Sequence, residues 1–159
     1  MMQMAFSGGA SLMTVFMTGE RSLVQPDSSA FVADPELIQV LQTKSSPVVC
    51  TTNIVLFNQD DIAVGVYIFH QGAATLTMRS IDGRTIFSIP AMPGSLLGLP
   101  ALISDKPYSL SAIAHPGAEV GFVSRNDFFN LVQSDPTLSL KMLQVLAAEV
   151  RTARQALHH

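Results

Sequence analysis

The chain has 159 residues, the size of one domain, with 48% hydrophobic and 13% charged residues, so a full core can be built on length alone. Its net charge of −3 carries no basic bias, which argues against a nucleic-acid binder. One cysteine, Cys50, excludes an intrachain disulfide, a four-cysteine metal site and an iron–sulfur cluster.

The N-terminus, "MMQMAFSGGASLMTVFMTGE", is apolar and Met-rich, but its first basic residue is Arg21 and "SGG" interrupts it. It therefore lacks the charged start of a signal peptide, and no stretch approaches the roughly 18 apolar residues of a membrane helix. A cytoplasmic protein is expected, with no membrane partner. Residues 1–33 show no period and include the linker "QPDSSA", so they read as an arm ahead of a domain over 34–134.

Helix-start chemistry follows in "ADPELIQVLQTK": Asp34 can cap, Pro35 suits the first position, and Leu37, Val40 and Leu41 share a face. From Pro47 the texture becomes β-rich. "PVVCTTNIVLF" is broken by "NQDD" and followed by "IAVGVYIFHQG", "AATLTMRS", the turn "IDGR" and "TIFSIPAM". Turns about every ten residues signal a sandwich or barrel, and "DG" signals a hairpin. Cys50, inside the apolar run, reads as a small core residue in preference to a reactive thiol.

Next comes "PGSLLGLPALISDKPYSLSA", residues 93–112, shaped like a phosphate-binding loop and short helix but with no arginine, no glutamate and one lysine. Two more strands, "YSLSAIAHPG" and "AEVGFVSR", and a short helix, "NDFFNLVQ", lead to a long helix over 135–157, opened by Asp135 and Pro136. On it Leu143, Leu146, Val150, Ala153 and Leu157 are spaced as a heptad seam, while Leu138, Met142 and Val145 form an offset stripe. One stripe can pack on the strands and the other on a second copy, so a homodimer through this helix is expected; the competing reading is one broad core-facing stripe.

A helix, eight or so short strands, a loop-helix insertion, a short helix and a long helix, in that order, resemble the cyclic-nucleotide-binding domain. The nearest likeness is to the sensor halves of catabolite activator and Fnr-type regulators. "VYIFHQGAATL", with Gly72, resembles the family's strand–glycine–strand hairpin, and "SIDGRTIFSIPAMPGSLLG" the next hairpin and approach to the phosphate-binding cassette. "AEVGFVSRNDFFNLVQSDPTLSLKML" resembles the last strand and the helices after it. The resemblance implies a mainly β fold: an antiparallel β-roll (double-stranded β-helix or jelly roll) with a flanking N-terminal helix and a long C-terminal dimerisation helix.

In nucleotide-binding members the cassette runs Phe-Gly-Glu, a short helix, then Pro-Arg-Ser/Thr-Ala. The glutamate takes the ribose hydroxyl and the arginine pairs with the cyclic phosphate. Here the matching positions are Leu97-Gly98-Leu99 and Pro107-Tyr108-Ser109-Leu110, so the glutamate is Leu99 and the arginine Tyr108. The family's earlier Gly-Glu turn is Gln59-Asp60. An unpaired buried charge costs about 3–5 kcal/mol and a lost hydroxyl hydrogen bond about 0.5–1.5 kcal/mol. Together they remove about three or more decades of cyclic-nucleotide affinity.

The resemblance makes Gly98, Leu99, Pro100, Ala101, Tyr108 and Ser109 the candidate ligand site. Two readings stay open: a neutral, partly apolar ligand with Tyr108 and Ser109 as polar handles, or a pocket filled by its own side chains. Lys106 reads as solvated. His70 and His115 lack ligand spacing, Asp60 and Asp61 diverge in a turn, and no nucleophile–base set stands out. No metal role falls to His158 and His159, and no cofactor is expected. The function expected is a non-catalytic regulatory or sensor module, not an enzyme. The alternative is the effector domain of a regulator whose helix-turn-helix reader is absent from this chain, which holds no basic recognition helix.

Overall fold

The structure is a computed structural model that describes residues 27–157. It opens with a 3-10 helix, Ser28–Phe31, whose N-cap Asp27 accepts from the Ser29 amide. Helix α1, Pro35–Gln42, starts as its sequence dictates. Asp34 Oδ1 accepts from the Glu36 amide at 2.8 Å, Pro35 takes the first turn, and Leu37 and Leu41 are fully buried one turn apart.

Eight strands follow: β1 Ser46–Val48, β2 Ile54–Phe57, β3 Gly65–Gln71, β4 Ala74–Arg79, β5 Thr85–Pro90, β6 Ser95–Leu97, β7 Ser111–Ala114 and β8 Glu119–Ser124. They pair antiparallel in two four-stranded sheets, ordered β1-β8-β3-β6 and β2-β7-β4-β5. This is the expected β-roll with flanking helices. The run from Pro47 to Phe57 is not one strand. Its first part pairs with β8 in one sheet and its second with β7 in the other. The crossing between them is pinned where the Gly117 amide donates to the Cys50 carbonyl at 2.7 Å. Cys50 is buried there, and burial pushes its thiol up.

The β4–β5 hairpin turns at Gly83, at φ 87°, with the Ser80 amide donating to the Arg84 carbonyl at 2.8 Å. Along β4, Leu76 is buried while Thr75 and Thr77 are half-exposed, the alternation of a strand covered on one face.

Three more helices complete the chain: α2 Leu99–Ser104, α3 Arg125–Ser134 and α4 Leu138–Leu157. The long helix begins at Leu138, not with Pro136 as its first residue. Asp135 closes α3, its amide donating to the Leu131 carbonyl, and its carboxylate holds a turn by accepting from the Thr137 amide at 3.1 Å. The Asp-Pro pair therefore marks the bend between two helices.

Leu138, Met142 and Val145 of α4 are buried in the core. Leu143, by contrast, is 59% exposed, and Leu146 is half-buried against the core. Of the seam, Leu143 therefore faces away from the core while Leu146 packs against it; the side chains of Val150, Ala153 and Leu157 lie outside the described residues. Lys141 anchors the near side, its Nζ 3.1 Å from Asp34 Oδ2 and 3.0 Å from Glu36 Oε1. That pairing holds the Asp34 carboxyl below its usual value and the Lys141 ammonium above its own.

Candidate functional site

The cassette connects β6 to β7. After Leu97, Gly98 takes the left-handed conformation at φ 91°, and α2 starts at the next residue. A left-handed glycine lets the chain leave the strand and enter the helix within one residue. Six residues on, Asp105 adopts the left-handed conformation at φ 56° and ends the helix. Its carboxylate meets Arg125 of α3 at 3.1 Å, which ties the cassette to the helical side of the domain. Pro100, in the first turn, has no N–H, so α2 presents fewer free amides to an anion than another six-residue helix would.

After Pro107 the chain runs beside the turn before β3. The Asp60 amide donates to the Tyr108 carbonyl at 2.8 Å, and the Tyr108 amide to the Asp61 carbonyl at 2.9 Å. This two-way pairing aims the Tyr108 side chain into the roll, where it is only 2% exposed. Its hydroxyl donates to the Gly65 carbonyl at 2.8 Å and accepts from the Val64 amide at 3.2 Å and, more weakly, the Gly65 amide at 3.4 Å. Its ring stacks on Phe57 with centroids 4.1 Å apart and 24° between planes. Burial pushes the phenol above its ordinary value, so it is neutral at physiological pH.

Gly98 and Tyr108 depend on each other. A Cβ at Gly98 would lie 2.8 Å from Tyr108 Cε1, so the ring passes directly over the glycine. Leu99 is fully buried, as is Leu102, with Ala101 nearly so. Leu99 and Tyr108 are thus both core residues, Leu99 wholly apolar and Tyr108 with its hydroxyl spent on backbone groups.

What remains open is a cavity of about 10 Å³, the room of one water. Gly98, Pro100, Ala101, Tyr108 and Ser109 line it, together with Phe31, Phe57, Leu97 and Leu110. The structure so brings together five of the six candidates, while the sixth, Leu99, is fully buried and outside the lining. Ser109 is exposed at its rim, and Lys106 points to solvent. Phe31, Phe57, Val64 and Gly65 join the site without a motif in the sequence that marks them. Phe31 carries no periodic signal, and Val64 and Gly65 act through backbone groups that any residue supplies.

The histidines lie apart from this cavity. His115 is satisfied on both nitrogens, Nε2 with Thr75 Oγ1 at 2.8 Å and Nδ1 with Asn53 Oδ1 at 3.0 Å. His70 Nε2 is buried without a hydrogen-bond partner beside Gly121. Among the described residues no three His, Cys, Asp or Glu side chains converge on a metal position, and no helix is long and apolar enough to cross a membrane.

Two antiparallel four-stranded sheets with a glycine-led cassette between β6 and β7 are the architecture expected of a cyclic nucleotide-binding domain. The family model of the cyclic nucleotide-binding domain matches residues 47–135, and the chain belongs to that family. Among curated proteins it is similar to the transcriptional activatory protein AadR of Rhodopseudomonas palustris, 30% identical over 99 residues, covering 62% of this chain and 40% of that protein. It is also similar to the nitrogen fixation regulation protein FixK of Azorhizobium caulinodans, 27% identical over 119 residues, covering 75% and 47%. The chain thus spans less than half the length of these two regulators. Among solved structures, the Thermus thermophilus catabolite activator protein superposes with a TM-score of 0.66 at 22% identity, over 79% of this chain and 59% of that one.

Proposed function

We propose that this chain is a non-catalytic regulatory module of the Crp/Fnr type that does not bind cyclic AMP or cyclic GMP with ordinary affinity, and that it dimerises through α4. The observation that carries the reading is Tyr108. Where the family's arginine would meet a phosphate, a neutral phenol is spent on the Gly65 and Val64 backbone, and the space left is about 10 Å³. A bound nucleotide would have to expel that ring and would find neither a guanidinium nor a carboxylate at Tyr108 and Leu99. The exposed Leu143 beside the buried stripe of α4 supports the dimer.

A second reading, the effector part of a DNA-binding regulator, is favoured by the 40% and 47% of AadR and FixK that the chain spans. Both readings share the closed cassette. A thermal-shift series with cyclic AMP and cyclic GMP tests it: a ligand at 100 times its dissociation constant adds about 2.7 kcal/mol, or roughly 5–10 °C for a domain of this size. No shift is expected at 100 μM nucleotide, and a shift of that size would overturn the reading.

A further inference from the structure

We propose that the cassette is a binding site for a neutral para-hydroxyphenyl group, and that the ligand it holds is the chain's own Tyr108. This rests on the reading of the cassette as closed to cyclic nucleotides and goes on to name what the site recognises. Three independent surfaces converge on the ring. The face of Phe57, on β2, stacks on it at 4.1 Å. The bare α-carbon of Gly98, at the head of α2, lets it pass where any Cβ would come within 2.8 Å of Cε1. The Gly65 carbonyl and Val64 amide, at the start of β3, take the hydroxyl as donor and as acceptor. Apolar walls with one paired donor–acceptor at the end make a complementary pocket for a phenol, and a poor one for an anion.

The three surfaces belong to different parts of the roll: β2 lies in one sheet, β3 in the other, and α2 is the cassette helix. The occupant therefore clamps the two sheets and the cassette together. It also reaches the helical side. Phe31 forms part of the same cavity wall, and its 3-10 helix is bound to the approach to β6 by the Ala33 amide on the Gly94 carbonyl, at 3.0 Å, and packs directly on α4. Occupancy of the phenol site is accordingly felt at α4 through Phe31.

Tyr108→Gly tests this, because it removes the group and leaves a cavity of its shape; an apolar cavity opened in a core takes up a small aromatic that matches it. Isothermal titration of Tyr108→Gly with p-cresol is expected to show one site per chain. Toluene, which lacks the hydroxyl and leaves the same backbone groups unpaired, should bind about five- to 150-fold more weakly. The unaltered chain, whose site is full, should bind neither. Hydrogen exchange over residues 28–33 and 138–148 should quicken in Tyr108→Gly and slow again with p-cresol. If Tyr108→Gly does not fold alone, refolding from urea in millimolar p-cresol should recover it, while Tyr108→Phe folds without help.

No p-cresol binding, or no recovery on refolding, overturns the proposal; so do equal affinities for p-cresol and toluene, or p-cresol binding that leaves exchange in 138–148 unchanged. Failure here leaves the nucleotide reading standing, since that is decided by cyclic AMP on the unaltered chain.

Discussion

Replacing Tyr108 by phenylalanine removes one oxygen and should cost about 1–3 kcal/mol. The ring keeps its stack on Phe57, so hydrophobic burial is nearly unchanged. What is lost is a donor to the Gly65 carbonyl at 2.8 Å and an acceptor for the Val64 amide at 3.2 Å, both in an interior where Tyr108 is 2% exposed. The penalty comes from those backbone groups left without partners. A water entering the vacated space beside the 10 Å³ cavity would bring the cost towards the lower limit. Urea unfolding followed by circular dichroism reads the change as a lower midpoint at constant slope. By melting, the loss is about 2–4 °C per kcal/mol for a domain of this size. A loss below about 0.3 kcal/mol, well under the usual worth of a single hydrogen bond, would refute the account of the hydroxyl as a buried, structural contact.

Three further outcomes follow from neighbouring features. Gly98→Ala should destabilise by about 1–3 kcal/mol, and more than Gly83→Ala; both glycines have positive φ, but a Cβ at Gly83 meets nothing within 4 Å whereas at Gly98 it meets Tyr108, so equal losses on urea unfolding would deny the contact. Leu143→Glu, on the exposed stripe of α4, should give folded monomers by light scattering; an unchanged mass would remove the seam from the dimer proposal. Lys141→Gln should lower stability most at neutral pH. Asp34, depressed in the fold, contributes above its ordinary value of 3.8 and loses that contribution as pH falls below it; Lys141, raised, contributes below 10.5 and loses it above. The gap between the two proteins should thus narrow at both extremes, and a gap independent of pH would deny the ion pair its role.

Much of the fold is legible in the sequence because its signals are local. Asp34-Pro35 starts a helix and Asp82-Gly83 turns a hairpin through chemistry carried within four residues. The cassette outline is legible for the same reason, since Gly98 permits the left-handed turn into α2 and Pro107 fixes its own φ. The break between β1 and β2 is not, because both halves are equally β-branched and apolar, and only pairing with distant β8 and β7 divides them. Asp135-Pro136 carries the residues of a helix start, yet the Asp135 carboxylate is spent on Thr137 in a turn between helices. Whether the altered pocket is open could not be read either. That depends on where the Tyr108 hydroxyl finds partners, and these are backbone atoms of Val64 and Gly65, some forty residues earlier.

The central claim is that Tyr108 and Leu99 close the cassette to cyclic nucleotides, and calorimetric titration of the unaltered chain with cyclic AMP tests it most directly. A loss of about three decades from the paired charges predicts no measurable heat at micromolar nucleotide and at most millimolar binding. A saturable isotherm with a micromolar dissociation constant and one site per chain would contradict it.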